Sequence, residues 1–276
     1  MPYLKKLETY HERDEKGVHG HDGPVHVSGS RFRSTRLESD FITAMNKHGC
    51  PEVNDINDLE TGNGVMRALR YVNPEGKRQD TAHVYIHPRL ADGKHPDLHV
   101  LVESRVKRVL FEVTKAIGVA YSPNPAFQPD VATDTRTVRA RKLVVLSCGA
   151  LGIPLVLERS GVGSPDIVQR AGIDLVADVP DVGRHYEDHH MMTYPYISSL
   201  QPEETLDALN AGRLDPGELL KENHNILGWN SVDAQCKVRP TEADLVNLGP
   251  VFQEAWNNDF RDMPDKPMMI ISLVAW

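Results

Sequence analysis

A surplus of positive charge is the first thing this chain lacks. Its 276 residues carry 31 Lys and Arg against 39 Asp and Glu, a formal net charge of −8, so nothing attracts it to a phosphate backbone. Aromatic residues are 6% of the sequence, too few for a base-stacking surface. Nucleic acid is therefore not an expected partner. The only cysteines are Cys50, Cys148 and Cys236. Being odd in number, far apart and outside any CxxC spacing, they support neither a disulfide framework nor a zinc knuckle and suit a reducing compartment. No stretch approaches the ~20 apolar residues that span a bilayer. The opening, MPYLKKLETYHERDEKG, has no apolar signal-peptide core, so a soluble chain with no membrane partner is expected. Walker and G-x-S-x-G patterns are missing as well, which leaves phosphoryl transfer and serine hydrolysis without a residue set.

What remains is a chain with 40% apolar residues, enough to fill one large domain or two small ones. It shows no internal repeat, so turn residues are the guide to its elements. Val25 and Val27 alternate after a Gly- and His-rich loop and suggest a strand. Leu37, Phe41, Ile42 and Met45 fall at helical spacing within residues 35–48. A helix is expected from about residue 78, stopping before Pro88, and a strand over residues 97–104. VKRVLFEV, AIGVAYS and TRTVRARK read as three antiparallel strands. Leu143 to Leu146 form a continuous apolar run of the kind buried on both faces of a parallel sheet. Helices at about residues 150–159 and 164–171 follow, then a short strand in DLVADV. The fold class is thus α/β, a nucleotide-domain βα unit preceded by an antiparallel insert, with a further β-rich segment at PMMIISLVAW.

The stretch VVLSCGALGIPLVLERSGVG, residues 144–163, is the most informative. Cys148-Gly149-Ala150 would turn at the carboxyl end of the apolar strand, and Pro154 would lie in the first turn of the next helix. Ligands of doubly wound folds sit at such turns, where small residues let the backbone approach a flat or anionic group. A tight junction that needs glycine for its own geometry is the equal alternative.

The wider string Gly149, Ala150, Pro154, Val156, Leu157, Ser160, Gly161, Val162, Gly163 resembles the second signature of the glucose-methanol-choline (GMC) flavin oxidoreductases. Ile153 departs from the Ser or Thr usual there. DVPDVGRHYEDHH resembles the family's PGVGxNxxDH segment at Pro180, Val182, Gly183, Asp188 and His189, with Asp181 in place of Gly and His185 in place of Asn. LKKLETY, HGHDGPVHVS, GKRQDTAHVYIHP, RARKLVVLSCG, VRPTE and DKPMM resemble the alcohol oxidases within that family. The resemblance runs from Leu4 onward and is strongest over residues 136–190.

This resemblance implies FAD as cofactor. It also implies an FAD-binding nucleotide domain, partial here, formed by residues 1–17 and 74–187, and an antiparallel-sheet substrate domain formed by 18–73 and 188–276. Val106 matches the position whose backbone pairs with adenine, and Ser147, Cys148 and Gly149 match the backbone wall beside the ribose and adenine end. The family's G-x-G-x-x-G turn and catalytic histidine have no counterpart in these residues, so no catalytic residue is assigned and an internal segment of a longer enzyme is implied. That enzyme would oxidise a short primary alcohol with O2 and release hydrogen peroxide, as a homo-oligomer in the peroxisome or cytoplasm. Choline or aryl-alcohol dehydrogenases, hydroxynitrile lyases and an inactive remnant are the competing readings. His185, Asp188, His189 and His190, and the pair His83 and His87, have the composition of metal ligands. The matching family segments bind no metal, so none is expected.

Overall fold

The chain opens with α1 (Pro2–Leu7), β1 (Glu8–Tyr10), β2 (Val25–Val27), α2 (Thr35–Lys47), β3 (Gly64–Arg67), a π turn (Ala82–Ile86) and α3 (His87–Ala91). It continues through β4 (Ser104–Glu112), β5 (Lys115–Pro123), β6 (Arg136–Arg139), α4 (Gly149–Glu158), β7 (Val162–Gly163), α5 (Pro165–Arg170) and β8 (Ala177–Asp178). The last part holds α6 (Asp207–Asn210), α7 (Pro216–Lys221), a 3-10 turn (Asn225–Gly228), β9 (Val232–Val238), α8 (Glu242–Leu248), α9 (Pro250–Asp259) and β10 (Met269–Val274). This computed structural model describes residues 2–201 and 204–275; the terminal Trp276 of the expected β-rich segment lies outside them. Two compact units result, Met1–Pro96 with Ile197–Trp276, and Asp97–Tyr196.

In the first unit, β3 and β10 flank β9 in an antiparallel sheet. The sheet is backed by α2, whose predicted apolar stripe does what its spacing requires. Ile42 packs with Cys50, Val65, Ala234 and Cys236, all buried, and Phe41 and Met45 close the edge. Burial and the neighbouring Cys50 push the Cys236 thiol up to about 12, so Cys236 fills space and stays protonated. Beside the sheet lies a buried ion pair between Arg70 and Asp233, whose side chains are 3% and 1% exposed. Asp233 also accepts from Trp229 Nε1 (2.9 Å) and the Ser34 N–H (2.9 Å), while Arg70 donates to the carbonyls of Gly29 and Val232 (both 2.6 Å). Charges this deep persist only when fully bonded. The strand at Val25–Val27 forms as expected and pairs in parallel with β1. The loop between them folds back through His19, which bridges Glu8 (2.8 Å) and Asp55 (2.9 Å) and stacks on Tyr10 with ring centroids 3.8 Å apart.

In the second unit, β4, β5 and β6 form the antiparallel sheet anticipated from the sequence, in that spatial order. α4 and α5 are the two expected helices, and β7 pairs in parallel with β8 inside DLVADV.

Four local expectations are corrected. Residues 97–103 are irregular, with Leu101 and Val102 exposed; the ladder begins only where Ser104 finds Pro123 opposite. Leu143–Leu146 have no regular secondary structure and form no ladder, and Leu143 and Val145 are 73% and 72% exposed. A two-sided parallel strand needs neighbours for its backbone groups, and the described residues supply none there. The helical segment near residue 80 runs through Pro88, which occupies the first turn of α3, where its missing N–H costs no helical bond. Pro154 lies inside α4, past its first turn, because that helix begins at Gly149.

Candidate functional site

The turn into α4 is built as an open surface. Cys148 is the N-cap at φ −92 and ψ 11, and its side chain makes no capping bond. Gly149 follows at φ +77, and a Cβ built on it would meet nothing within 4 Å. Ser147, Cys148, Gly149 and Ala150 are all exposed. The glycine is thus needed for its left-handed backbone, yet no protein group crowds it. The first N–H groups of α4 point out of an uncapped, electropositive helix end, with exposed Leu151 and Leu155 on the same helix. A flat group edged with oxygen or phosphate fits this surface, and the adenosine half of FAD has that chemistry.

Val106 lies on β4, the outer strand of its sheet, so part of its backbone edge is unpaired by any strand. Lys107 is bulged, because Val106 faces Tyr121 and the next paired residue, Arg108, faces Ala120. The neighbouring signature residues turn inward. Ser160, 6% exposed, accepts the Val109 N–H at 2.8 Å and donates to the Val156 carbonyl. Gly161 sits at φ +84, where an added Cβ would lie 2.3 Å from the Asp174 carbonyl oxygen. Structure therefore divides the signature: Gly149 faces outward, while Ser160 and Gly161 hold the helix against the strands.

Part of each histidine group is engaged locally. His83 Nδ1 pairs with Asp80 at 2.7 Å and its ring packs edge-on against His87. The bond from the Tyr186 hydroxyl (2.6 Å), then that from the His189 N–H (2.7 Å), hold the Asp188 carboxyl below its ordinary range. His185 is exposed at φ 53. Among the described residues no group of three or more His, Cys, Asp or Glu is arranged to hold a metal.

Three features depend on contacts that residue order does not show: the Arg70–Asp233 pair, the His19 clamp and the role of VRPTE. Arg239 of that string donates to the carbonyls of Met263 and Phe260 (both 2.8 Å) and lies 4.6 Å from the Trp256 ring, so it ties down the loop that carries DKPMM. Thr241 and Asp244 form a reciprocal capping box that starts α8. The box was legible as T-x-x-D; the arginine's carbonyl partners, more than twenty residues on, were not.

Comparison with known proteins extends this geometry. The family model described as GMC oxidoreductase matches residues 1–191. The alcohol oxidase of Candida boidinii is 33% identical over 282 aligned residues, covering 100% of this chain and 42% of its own length. An oxygen-dependent choline dehydrogenase of Cronobacter sakazakii is 33% identical over 197 residues, 71% of this chain and 33% of its own. The chain thus spans less than half the length of these curated relatives. Among solved structures, a formate oxidase of Aspergillus oryzae superimposes with a TM-score of 0.76 at 19% identity, over 99% of this chain and 47% of that one. An FAD-dependent oxidoreductase of Chaetomium thermophilum gives 0.71 at 22%, over 100% and 52%. No helix among the described residues is long and apolar enough to cross a membrane. With the family match covering residues 1–191 and a relative 33% identical over the whole chain, this chain belongs to the GMC oxidoreductases, a family that uses FAD.

Proposed function

We propose that this chain is the central segment of an FAD-dependent alcohol oxidase that converts short primary alcohols to aldehydes and reduces O2 to hydrogen peroxide. The observation that carries the reading is the turn at Gly149, which combines a left-handed glycine, an uncapped helix end and open space. Likeness to alcohol oxidases over the full chain supports the substrate class. Ser147, Cys148 and Gly149 form the wall against the ribose and adenine end, and the Val106 backbone pairs with the adenine edge. Residues 1–17 and 74–187 serve the cofactor domain, and 18–73 and 188–276 the substrate domain. FAD, when bound, supplies the hydride acceptor and the route to O2. This chain's own residues bind and orient its adenosine half, and none of them is assigned the proton transfer from the alcohol. The enzyme acts as a homo-oligomer in the peroxisome or cytoplasm.

A second reading, another oxidoreductase of the same family, is supported by the match to choline dehydrogenase over 71% of the chain. Transcript sequencing on both sides of this reading frame tests the first. A G-x-G-x-x-G turn upstream, a histidine pair downstream, and methanol-dependent peroxide from the product they complete are the expected results. The 276-residue chain alone, supplied with FAD, should retain no flavin after dialysis and form no peroxide. Turnover of choline but not methanol would favour the second reading, and methanol-dependent peroxide from the chain alone would refute the assignment of roles.

A further inference from the structure

We infer that Ser160 is a positioning residue for the cofactor's adenine: its hydroxyl holds β4 in the register at which the Val106 backbone is presented. The inference rests on the reading of Val106 as the adenine partner. β4 is an outer strand, so some of its N–H and C=O groups have no strand partner. An outward N–H that is buried must find another acceptor. That of Val109, a residue 5% exposed, finds Ser160 Oγ at 2.8 Å. The hydroxyl in turn donates to the Val156 carbonyl within α4, so its lone pair is aimed and not free to rotate.

Between this anchor and Val106 lies the bulge at Lys107. Moving a bulge by one residue costs few pairings, but it exchanges the inward and outward backbone groups of the residue it passes. Its position must therefore be set from outside the ladder. On the far side of Val106, Glu103 adopts φ 53 and its carbonyl accepts from the Asn124 N–H (2.8 Å) and Gln128 Nε2 (3.3 Å). Val106 sits between these two fixed points. A hydroxyl is required at residue 160 because one small buried group must accept from β4 and donate to α4 at once. Alanine does neither.

The experiment is a titration of the isotope-labelled chain with adenosine monophosphate, followed at the Val106 amide by nuclear magnetic resonance. Hydrogen exchange of the β5 amides opposite β6, Gly118 to Tyr121, reports sheet integrity. Ser160→Ala should weaken binding about tenfold, the scale of one well-placed hydrogen bond. Ser160→Thr, which keeps the hydroxyl, should restore it, with β5–β6 protection unchanged in both. Equal affinity in Ser160→Ala would overturn the inference. So would a loss of β5–β6 protection that parallels the loss of binding, since the serine would then be structural only. If the unsubstituted chain shows no shift at Val106, the failure belongs to the adenine reading itself.

Discussion

Gly161 and Gly149 both have positive φ and both belong to the signature, yet replacing each by alanine should give very different results. At Gly149 an added Cβ meets open space, so Gly149→Ala incurs only the left-handed backbone, about 1–2 kcal/mol. At Gly161 the same backbone term applies, and the Cβ would also lie 2.3 Å from the Asp174 carbonyl oxygen and 2.9 Å from Val176 Cγ2. The carbonyl is backbone and has to move by about an ångström to restore ordinary contact, an overpacking cost of roughly 1–3 kcal/mol. Relief is not free, because the Gly161 carbonyl accepts the N–H groups of Val176 (2.7 Å) and Ala177 (3.2 Å), the bonds that seat β8 beside β7. Gly161→Ala should therefore destabilise by about 2–5 kcal/mol in all. Urea unfolding of both variants, compared by midpoint at matched slope, measures the difference. Equal midpoints would mean that the 174–176 segment yields freely and that the close approach does not determine the glycine.

Three further outcomes are expected. Asp233→Ala strands the Arg70 guanidinium and two N–H donors in the interior, so it should cost about 3–5 kcal/mol, whereas a loss under 1 kcal/mol by the same unfolding measurement would show that water reaches the pair. Burial lowers the His19 pKa, but its bonds to Asp55 and Glu8 outweigh this and leave it above the ordinary value. With the folded pKa above the unfolded one, the stabilisation is complete below about pH 6.5 and is lost as pH rises through the folded value. His19→Gln should flatten that slope, and an unchanged slope would assign it to another group. In a longer protein that binds flavin, Gly149→Val should lower the flavin-to-protein ratio sharply, and a destabilised variant with full flavin occupancy would make Gly149 a plain junction.

Local physics made much of this fold readable. The stripe from Leu37 to Met45 reads as a buried helix face; Phe41, Ile42 and Met45 pack on the β3–β9–β10 sheet, and Leu37 packs against the Leu219, Ile226 and Trp229 cluster. Alternation and turn residues located β4, β5 and β6, and the string from Gly149 to Gly163 carried the family. The failures share one cause. Leu143–Leu146 and Val100–Val102 have the composition of strands, but a strand exists only when another lies beside it to take its backbone bonds, and composition does not say which residues those are. β9 was missed for the complementary reason: VDAQCKV is polar in patches, and it is central because β3 and β10 come to it from both sides.

The division of labour within the signature shows where sequence alone stops. It determined that residues 149–163 form a turn and a helix, that glycine and serine recur there, and that FAD is the group such a string serves. Only tertiary structure decided which of these residues face outward and which are packed. Gly149 meets open space, while Gly161 meets a carbonyl from thirteen residues away, and Ser160 meets an amide from the strand across. The reason is range. Backbone preference and apolar spacing act over a few residues and are written in order along the chain, whereas the contact that makes a glycine obligatory or a hydroxyl necessary comes from a segment that reaches it only after the chain has folded.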